Sequence, residues 1–454
     1  MDEEHSEPSE STSEKGRALR SWRLWLSPVI LVTLVMSAMA ALYLSSILDP
    51  NHNLRAFPIA VVNEDVGATD PTGAHVNFGD EMQTTVESKV DATQVRLENL
   101  SRDEMTSRMR DGKLYGAITV PADFTAKTMA LAQASLGPSG AQRPQVTVLT
   151  NPRSGTLGSS LVTSMSSAAL AEMNKTLGAR LTESVNGLAA QQRPPAQVSG
   201  AAAMVLAQPI DIVTVPFEPL PAHTGLGLSA FYYALLVLLA GFTGAMLVNT
   251  LVDGSLGFVA SEIGPRMILR RSLGLNRLQA LLIKWGVMVA TSVVVSTAYL
   301  GIASALDMPV EHRSTLWAYS TLAIIAVGIT ALSVVSAFGG IGMLINMFVF
   351  VFLGLPSAGA TIPLEAAPRA FAWLSSFEPL HQVYLGVRAI LYFDARGSAG
   401  LTHAVIMTLI GLAVGVAMGL GTAYYYERKG LPRLTVHDLA QERTTAAVTT
   451  TDPI

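Results

Sequence analysis

Five stretches of this sequence run for more than 20 residues without a charged side chain: 24–48, 225–252, 285–306, 314–364 and 404–426. A helix crossing about 30 Å of hydrocarbon needs about 20 apolar residues, so each stretch is long enough to span a bilayer. The window 314–364 holds 51 residues, too many for one crossing, and is broken at Gly339, Gly340 and Gly342. It reads as two helices, 314–337 and 341–360, joined by a tight turn. The expectation is an α-helical polytopic membrane protein with six transmembrane helices, at 24–48, 225–252, 285–306, 314–337, 341–360 and 404–426.

Lysine and arginine set the orientation of such a chain. With the N-terminus inside, the inner segments 1–23, 253–284 and 427–454 carry 13 Lys and Arg, against four in the short outer loops (Arg313, Arg369, Arg388 and Arg396). Both termini are therefore expected in the cytoplasm of a plasma membrane. The five tryptophans, Trp22, Trp25, Trp285, Trp317 and Trp373, fall at or near span ends, where an indole prefers the headgroup layer. Lys284, beside Trp285, reads as snorkelling to the inner headgroups. Ala38-Met39-Ala40 resembles a signal-peptide cleavage site, but the 23-residue leader and the long apolar window favour an uncleaved anchor.

Residues 49–224 hold 13 basic and 17 acidic side chains, no Trp and one tyrosine, Tyr115. The orientation makes this block one extracytoplasmic domain between the first and second spans. Strand signals at 57–63, 93–97, 114–120, 145–149 and 210–215 alternate with helical signals at 82–89, 102–110, 122–134 and about 155–185. That alternation predicts a small α/β layer. The piece 189–200 reads as a surface loop, and the tails 1–14 and 438–454 as disordered. Asn63, Glu64 and Asp65 are adjacent in one turn and cannot all face one metal ion, so they read as an Asx turn.

Chemistry-bearing patterns are few. Cysteine is absent, which excludes disulfides and thiolate chemistry, and the eight histidines show no metal-ligand spacing. Neither a hydrolase nor a zinc-protease motif occurs, and no metal or catalytic site is expected. A net charge of −4 does not favour nucleic acid as a partner. Seven Lys against 23 Arg is the codon bias of a GC-rich genome. Gly411, Gly415 and Gly419 form a small-residue face on the last span, for packing within the subunit or across a dimer seam. Asn346, in the fifth span, lines a path or bonds to a neighbouring helix. The segment 361–403 keeps apolar runs and reads as re-entrant or interfacial. Its Glu365, Arg369, Glu378, His381 and Arg388 either gate an outward exit or form interfacial ion pairs.

Three segments carry a family likeness. Residues 58–68, with Pro58, Asn63, Asp65 and Gly67, resemble the opening of the YhgE/Pip (phage infection protein) family. Residues 114–124, with Pro121 and Phe124, resemble a segment shared by that family and ABC-2-type transporter permeases. Residues 377–388 are similar to the ABC-2 stretch before the last helix. The resemblance implies an exporter permease subunit, itself no enzyme, that moves an amphiphilic, lipid-like or drug-like compound outward. It also implies a homodimer or a heterodimer with a related permease, powered by ATP and Mg on a separate ATPase. This chain has no G-x-x-x-x-G-K-[ST] phosphate loop and is expected to bind no cofactor of its own. The family's coupling helix lies between the second and third spans. That position corresponds to the loop 253–276, read here as partly helical, with Arg266, Arg270 and Arg271 facing the ATPase. The alternative is a Pip-like surface receptor or envelope scaffold with no ATP coupling; the compact domain, lacking an extended coiled coil, departs from the long Pip proteins.

Overall fold

In a computed structural model, which describes residues 22–70, 73–136, 142–191, 198–268, 270–271 and 273–431, the chain divides into two compact units between Asp49 and Pro50. The first holds one apolar helix, α1 (Trp22–Ile47). The second holds everything from the α/β domain to the last helix. Both segments read as disordered tails lie outside the described residues.

The α/β domain is built on a five-stranded sheet of order β4-β1-β5-β6-β7. Its strands are β1 (Phe57–Asn63), β4 (Val95–Asn99), β5 (Gly116–Val120), β6 (Gln145–Thr150) and β7 (Asp211–Pro216). β1 pairs parallel with β4 and β5, β6 is antiparallel to β5, and β7 is parallel to β6. A two-stranded ribbon, β2 (Ala68–Thr69) with β3 (His75–Val76), follows the turn after β1. Both sheet faces are covered, so β1 reads as one apolar run instead of alternating with polar residues. Phe57 and Ile59 point to one face, against α2 (Phe78–Lys89), α4 (Phe124–Ala134) and α5 (Thr156–Gln191). Ala60 and Val62 point to the other, against Met105 and Met109 of α3 (Arg102–Arg110).

Asn63, Asp65, Pro121 and Phe124 make the turns after β1 and β5. Asp65 bonds to the backbone N–H of Gly67 (3.3 Å), Gly79 (2.9 Å) and Thr125 (3.1 Å), and to the Thr125 hydroxyl. It thereby ties the turn after β1 to the starts of α2 and α4. Asn63 accepts from the Asp65 N–H at 3.1 Å, an Asx turn. Pro121 ends β5 and its carbonyl accepts from Phe124, which is fully buried. The stretch read as a loop at 189–200 begins inside α5, which runs to Gln191; residues 192–197 are outside the described set. A short helix, α6 (Gly200–Ala207), follows and packs on α5.

Among the described residues six helices are long and apolar enough to cross a membrane, which makes the chain a multi-pass membrane protein by length and composition. After α1 come α7 (Leu228–Ser255), α8 (Arg277–Ala305), α9 (Arg313–Phe338), α10 (Gly340–Ser357) and α13 (Leu401–Arg428). Gly339, at φ +59°, makes the break between α9 and α10. α10 contains a π-helical turn at Phe348–Phe352. α9 is the central helix, packed on α7, α8, α10 and α13.

Three readings need correction. Among its described residues the loop between α7 and α8 has no helix of its own: it forms a hairpin, β8 (Ser261–Ile263) with β9 (Arg266–Ile268), turned at Gly264 with φ +58°. Lys284 does not snorkel. It is buried, 2.8 Å from the Asp253 carboxylate and 2.7 Å from the Asn249 side-chain oxygen, because α7 places an acid beside it. Trp285 is likewise buried against Gly419 rather than set in a headgroup layer.

The glycine face of α13 packs inside the chain. A Cβ on Gly415 would stand 2.3 Å from Thr330 Oγ1 and 2.8 Å from its Cα, and one on Gly419 would meet Ser333 and Trp285. At Gly411 a Cβ would meet nothing within 4 Å. Gly415→Ala is therefore expected to cost about 1–3 kcal/mol by overpacking, seen as a lowered Tm of the full chain in detergent, while Gly411→Ala leaves Tm unchanged or slightly higher. Equal effects at the two positions would remove the α9–α13 seam.

Candidate functional site

Between α10 and α13 the chain folds back into the helix bundle. Segment 361–368 leads to α11 (Arg369–Leu374), and α12 (Pro379–Tyr392) then returns. Phe377 and Pro379 line one apolar pocket with Thr408 and Gly411. Gly411 is ten residues into α13, about 15 Å along it at helical rise. The tip of the fold-back therefore lies about a third of the way along α13 and, beside Ala326 and Val327 of the same pocket, midway along α9.

A helix that starts at that depth has backbone N–H groups without intrahelical acceptors. Pro379 removes one of them, having no N–H. The Glu378 carboxylate takes two more, from Leu380 (2.9 Å) and His381 (2.8 Å), and is 2% exposed. His381 Nδ1 donates to the Ala358 carbonyl at 2.8 Å, tying α12 to the end of α10. The Tyr319 hydroxyl donates to the Gln382 carbonyl at 3.0 Å, and its ring lies where a Cβ on Gly386 would stand. α12 is thus held from α9, α10 and its own cap.

The α/β domain rests on this segment. Arg55 donates from its backbone to the Glu365 carbonyl (2.8 Å) and from its guanidinium to the Ala367 carbonyl (2.6 Å). Ala366 between them is buried in the domain's core. Tyr115, stacked on Phe57 at 4.5 Å, donates its hydroxyl to the Glu365 carboxylate at 3.0 Å. Burial, and then the Glu365 charge, push the Tyr115 phenol well above its ordinary range, so it remains a donor at any physiological pH. Ser398, beyond α12, donates to Asp111 at 2.7 Å.

Under this junction lies a cavity of about 340 Å³. The domain contributes Arg96, Glu98, Arg108, Lys113 and Tyr115; the fold-back contributes Glu365, His381, Tyr384 and Arg388. His381, Tyr384, Leu385 and Arg388 recur at helical spacing on one face of α12. Pro379, Gln382 and Val383, on another face, line the apolar pocket with Phe350 and Met407. Arg388 lies over the rings of Tyr384 and Phe393, 5.6 Å from each centroid.

A second cavity, of about 400 Å³, opens at the far end of the bundle, beside Asn249, Asp253, Arg277, Lys284, Gly339 and Tyr426. Exposed Arg266, Arg270 and Arg271 lie in the loop that leaves this end. Of the residues read as a path or gate, Glu378, His381 and Arg388 come together on α12. Asn346 does not join them: it is buried and donates to the Ala331 carbonyl at 2.9 Å, a bond between α10 and α9. Sequence spacing also missed one cluster. Glu311, His312 and Asp394 bring a ligand atom each within 4.8 Å of one another, with His312 Nε2 2.7 Å from Asp394; two of the three are exposed.

A family model matches residues 28–415, from α1 into α13, and so covers the fold-back, the domain, the cavity beneath it and all of the second cavity's lining but Tyr426. The chain belongs to the DUF3533 family. Its description is a protein of unknown function, and no curated protein matches the chain. The DUF3533 match includes all of the segments that carried the transporter resemblance, so the site's own chemistry has to indicate its role.

Glu378→Ala removes both acceptors from the start of α12 and is expected to cost about 2–4 kcal/mol, read as a fall in Tm of the full chain in detergent. Glu378→Gln keeps one acceptor and should lose less than half as much. An unchanged Tm in Glu378→Ala would mean that the cap does not hold the helix.

Proposed function

We propose that this chain is the membrane subunit of an ABC-2-type exporter, moving an amphiphilic compound outward under power from a separate ATPase. The observation that carries the reading is α12: a short helix capped at mid-bundle, with a polar cavity along one face and an apolar pocket along another. A fixed fold-back of this kind offers a compound with a polar head and an apolar body a place to pass between the helices and the water. On this reading the α/β domain is extracytoplasmic, both termini are cytoplasmic, and the working unit contains two such chains.

The drive would enter at the other end. The β8–β9 hairpin and the exposed Arg266, Arg270 and Arg271 make a basic, accessible loop next to the second cavity. Arg277, at the start of α8, stacks over Tyr426 of α13 at 5.2 Å and also lines that cavity. Leu256 and Phe258, just before the hairpin, pack on Ala280 of α8, so a push on the hairpin would reach the first turn of α8 through them. The coupling element in this chain is a hairpin where the resemblance leads one to expect a helix.

The test is affinity purification of the native chain in mild detergent, with mass spectrometry and an ATPase assay on the eluate. The expected result is a stoichiometric phosphate-loop ATPase with vanadate-sensitive turnover. Arg270→Glu combined with Arg271→Glu should lower its recovery at least tenfold while leaving membrane insertion intact. A preparation free of ATPase, or one carrying envelope or secretion proteins in its place, would contradict the exporter reading in favour of a receptor or scaffold.

A further inference from the structure

The cavity beneath the α/β domain has an unbalanced charge. Four permanent cations line it: Arg96 of β4, Arg108 of α3, Lys113 of the turn before β5, and Arg388 of α12. Two carboxylates, Glu98 and Glu365, face them. Glu98 is shared by Arg96 (2.8 Å) and Arg108. Glu365 accepts from Tyr115, and Lys113 pairs with Asp111 at 3.0 Å. Among the described residues no carboxylate lies within ion-pairing distance of Arg388, whose guanidinium has the Tyr384 and Phe393 rings for neighbours. A half-buried guanidinium without an anion, in a cavity of about 340 Å³, is poised for a ligand that brings the anion. Pockets of roughly 300–1,000 Å³ take small molecules, and arginine's planar fork matches the oxygens of phosphate.

The surroundings favour a headgroup over a free ion. The helix that carries Arg388 borders an apolar pocket on another face, lined by Phe350, Phe377, Val383 and Met407. The cavity also reaches Gly359, two residues past the end of α10, a helix long and apolar enough to span a bilayer. We propose that this cavity binds the phosphate headgroup of an anionic amphiphile, with Arg388 as its anchoring cation and Arg96, Arg108 and Lys113 supplying the positive field. The inference names the substrate class of the exporter proposed above, but binding needs no ATPase, so the two stand or fall by separate measurements.

The experiment is calorimetric titration of the purified full chain, in phosphate-free detergent buffer, with three probes: dihexanoyl phosphatidic acid, dihexanoyl phosphatidylcholine and inorganic phosphate. Saturable binding of phosphatidic acid is expected, at least tenfold tighter than either of the others. Arg388→Gln should weaken it at least tenfold, and Arg388→Lys should recover most of the loss. Should Arg388→Gln fail to fold, Lys113→Gln, at a half-exposed site, should weaken the same binding at least twofold. Absence of phosphatidic acid binding, or binding that is unchanged in a folded Arg388→Gln protein, would overturn the proposal. Equal binding of phosphatidylcholine would remove the anionic requirement, and equal binding of inorganic phosphate would remove the amphiphile; either result overturns it as well.

Discussion

A helix that begins in the middle of an apolar bundle must satisfy its first backbone N–H groups without water. The two bonds that do so here, from the Leu380 and His381 N–H groups to the Glu378 carboxylate, decide where α12 starts and in which direction it points. Each unsatisfied polar group at such a depth costs several kcal/mol, so an unbroken spanning helix would be the simpler solution. The acid and the following proline allow a fold-back, and the fold-back brings polar side chains to a junction that six continuous helices would leave apolar. Arg388, nearly three turns on, reaches the α/β domain because Glu378 holds the other end of its helix.

The junction itself is made by hydrogen bonds to backbone and by one shared carboxylate. Arg55 holds the carbonyls on either side of Ala366, and Ala366 is packed into the domain's core. Glu365 and Tyr115 close the cavity from opposite sides of the junction. The domain and the fold-back thus form one construction, in which a shift of α12 changes the cavity wall directly. At the far end, the buried Asp253–Lys284 pair fixes α7 to α8 next to the second cavity. Such a pair contributes little net stability after desolvation, but removing one partner leaves an uncompensated buried charge. Its value here lies in specifying how two helices meet just before the loop that would receive a partner.

Much of this was legible residue by residue. Strand β1 begins and ends where its apolar run does, and α3 occupies the expected segment, 102–110. Gly339 breaks the long apolar window within the glycine group Gly339, Gly340 and Gly342 that marks it in the sequence. The start of α8 was missed because Arg277 and Lys284 interrupt an uncharged window, although Asn276 and Gln279 form a capping box there. The hairpin after α7 lies in a loop whose sequence reads only as partly helical, because two three-residue strands are too short to show a period; Gly264 followed by Pro265 is the available sign. Lys284 looked like a lipid-facing anchor because its partner Asp253 is 31 residues away. The cavity was the least legible feature. Glu365, His381 and Arg388 stood out from the sequence as a polar group in the fold-back, but Arg96, Arg108 and Lys113, more than 250 residues earlier, carried no sign that they would face them.

The central claim is directional: the α/β domain and its cavity face the outside, and the β8–β9 hairpin faces the cytoplasm. The chain has no cysteine, so single substitutions can be read against a silent background. Ser88→Cys in α2 and Glu262→Cys in β8 both replace exposed residues. Treated in intact cells with a membrane-impermeant maleimide, Ser88→Cys should label fully, and Glu262→Cys only after permeabilisation. Labelling of both from outside, or of Glu262→Cys alone, would contradict the account.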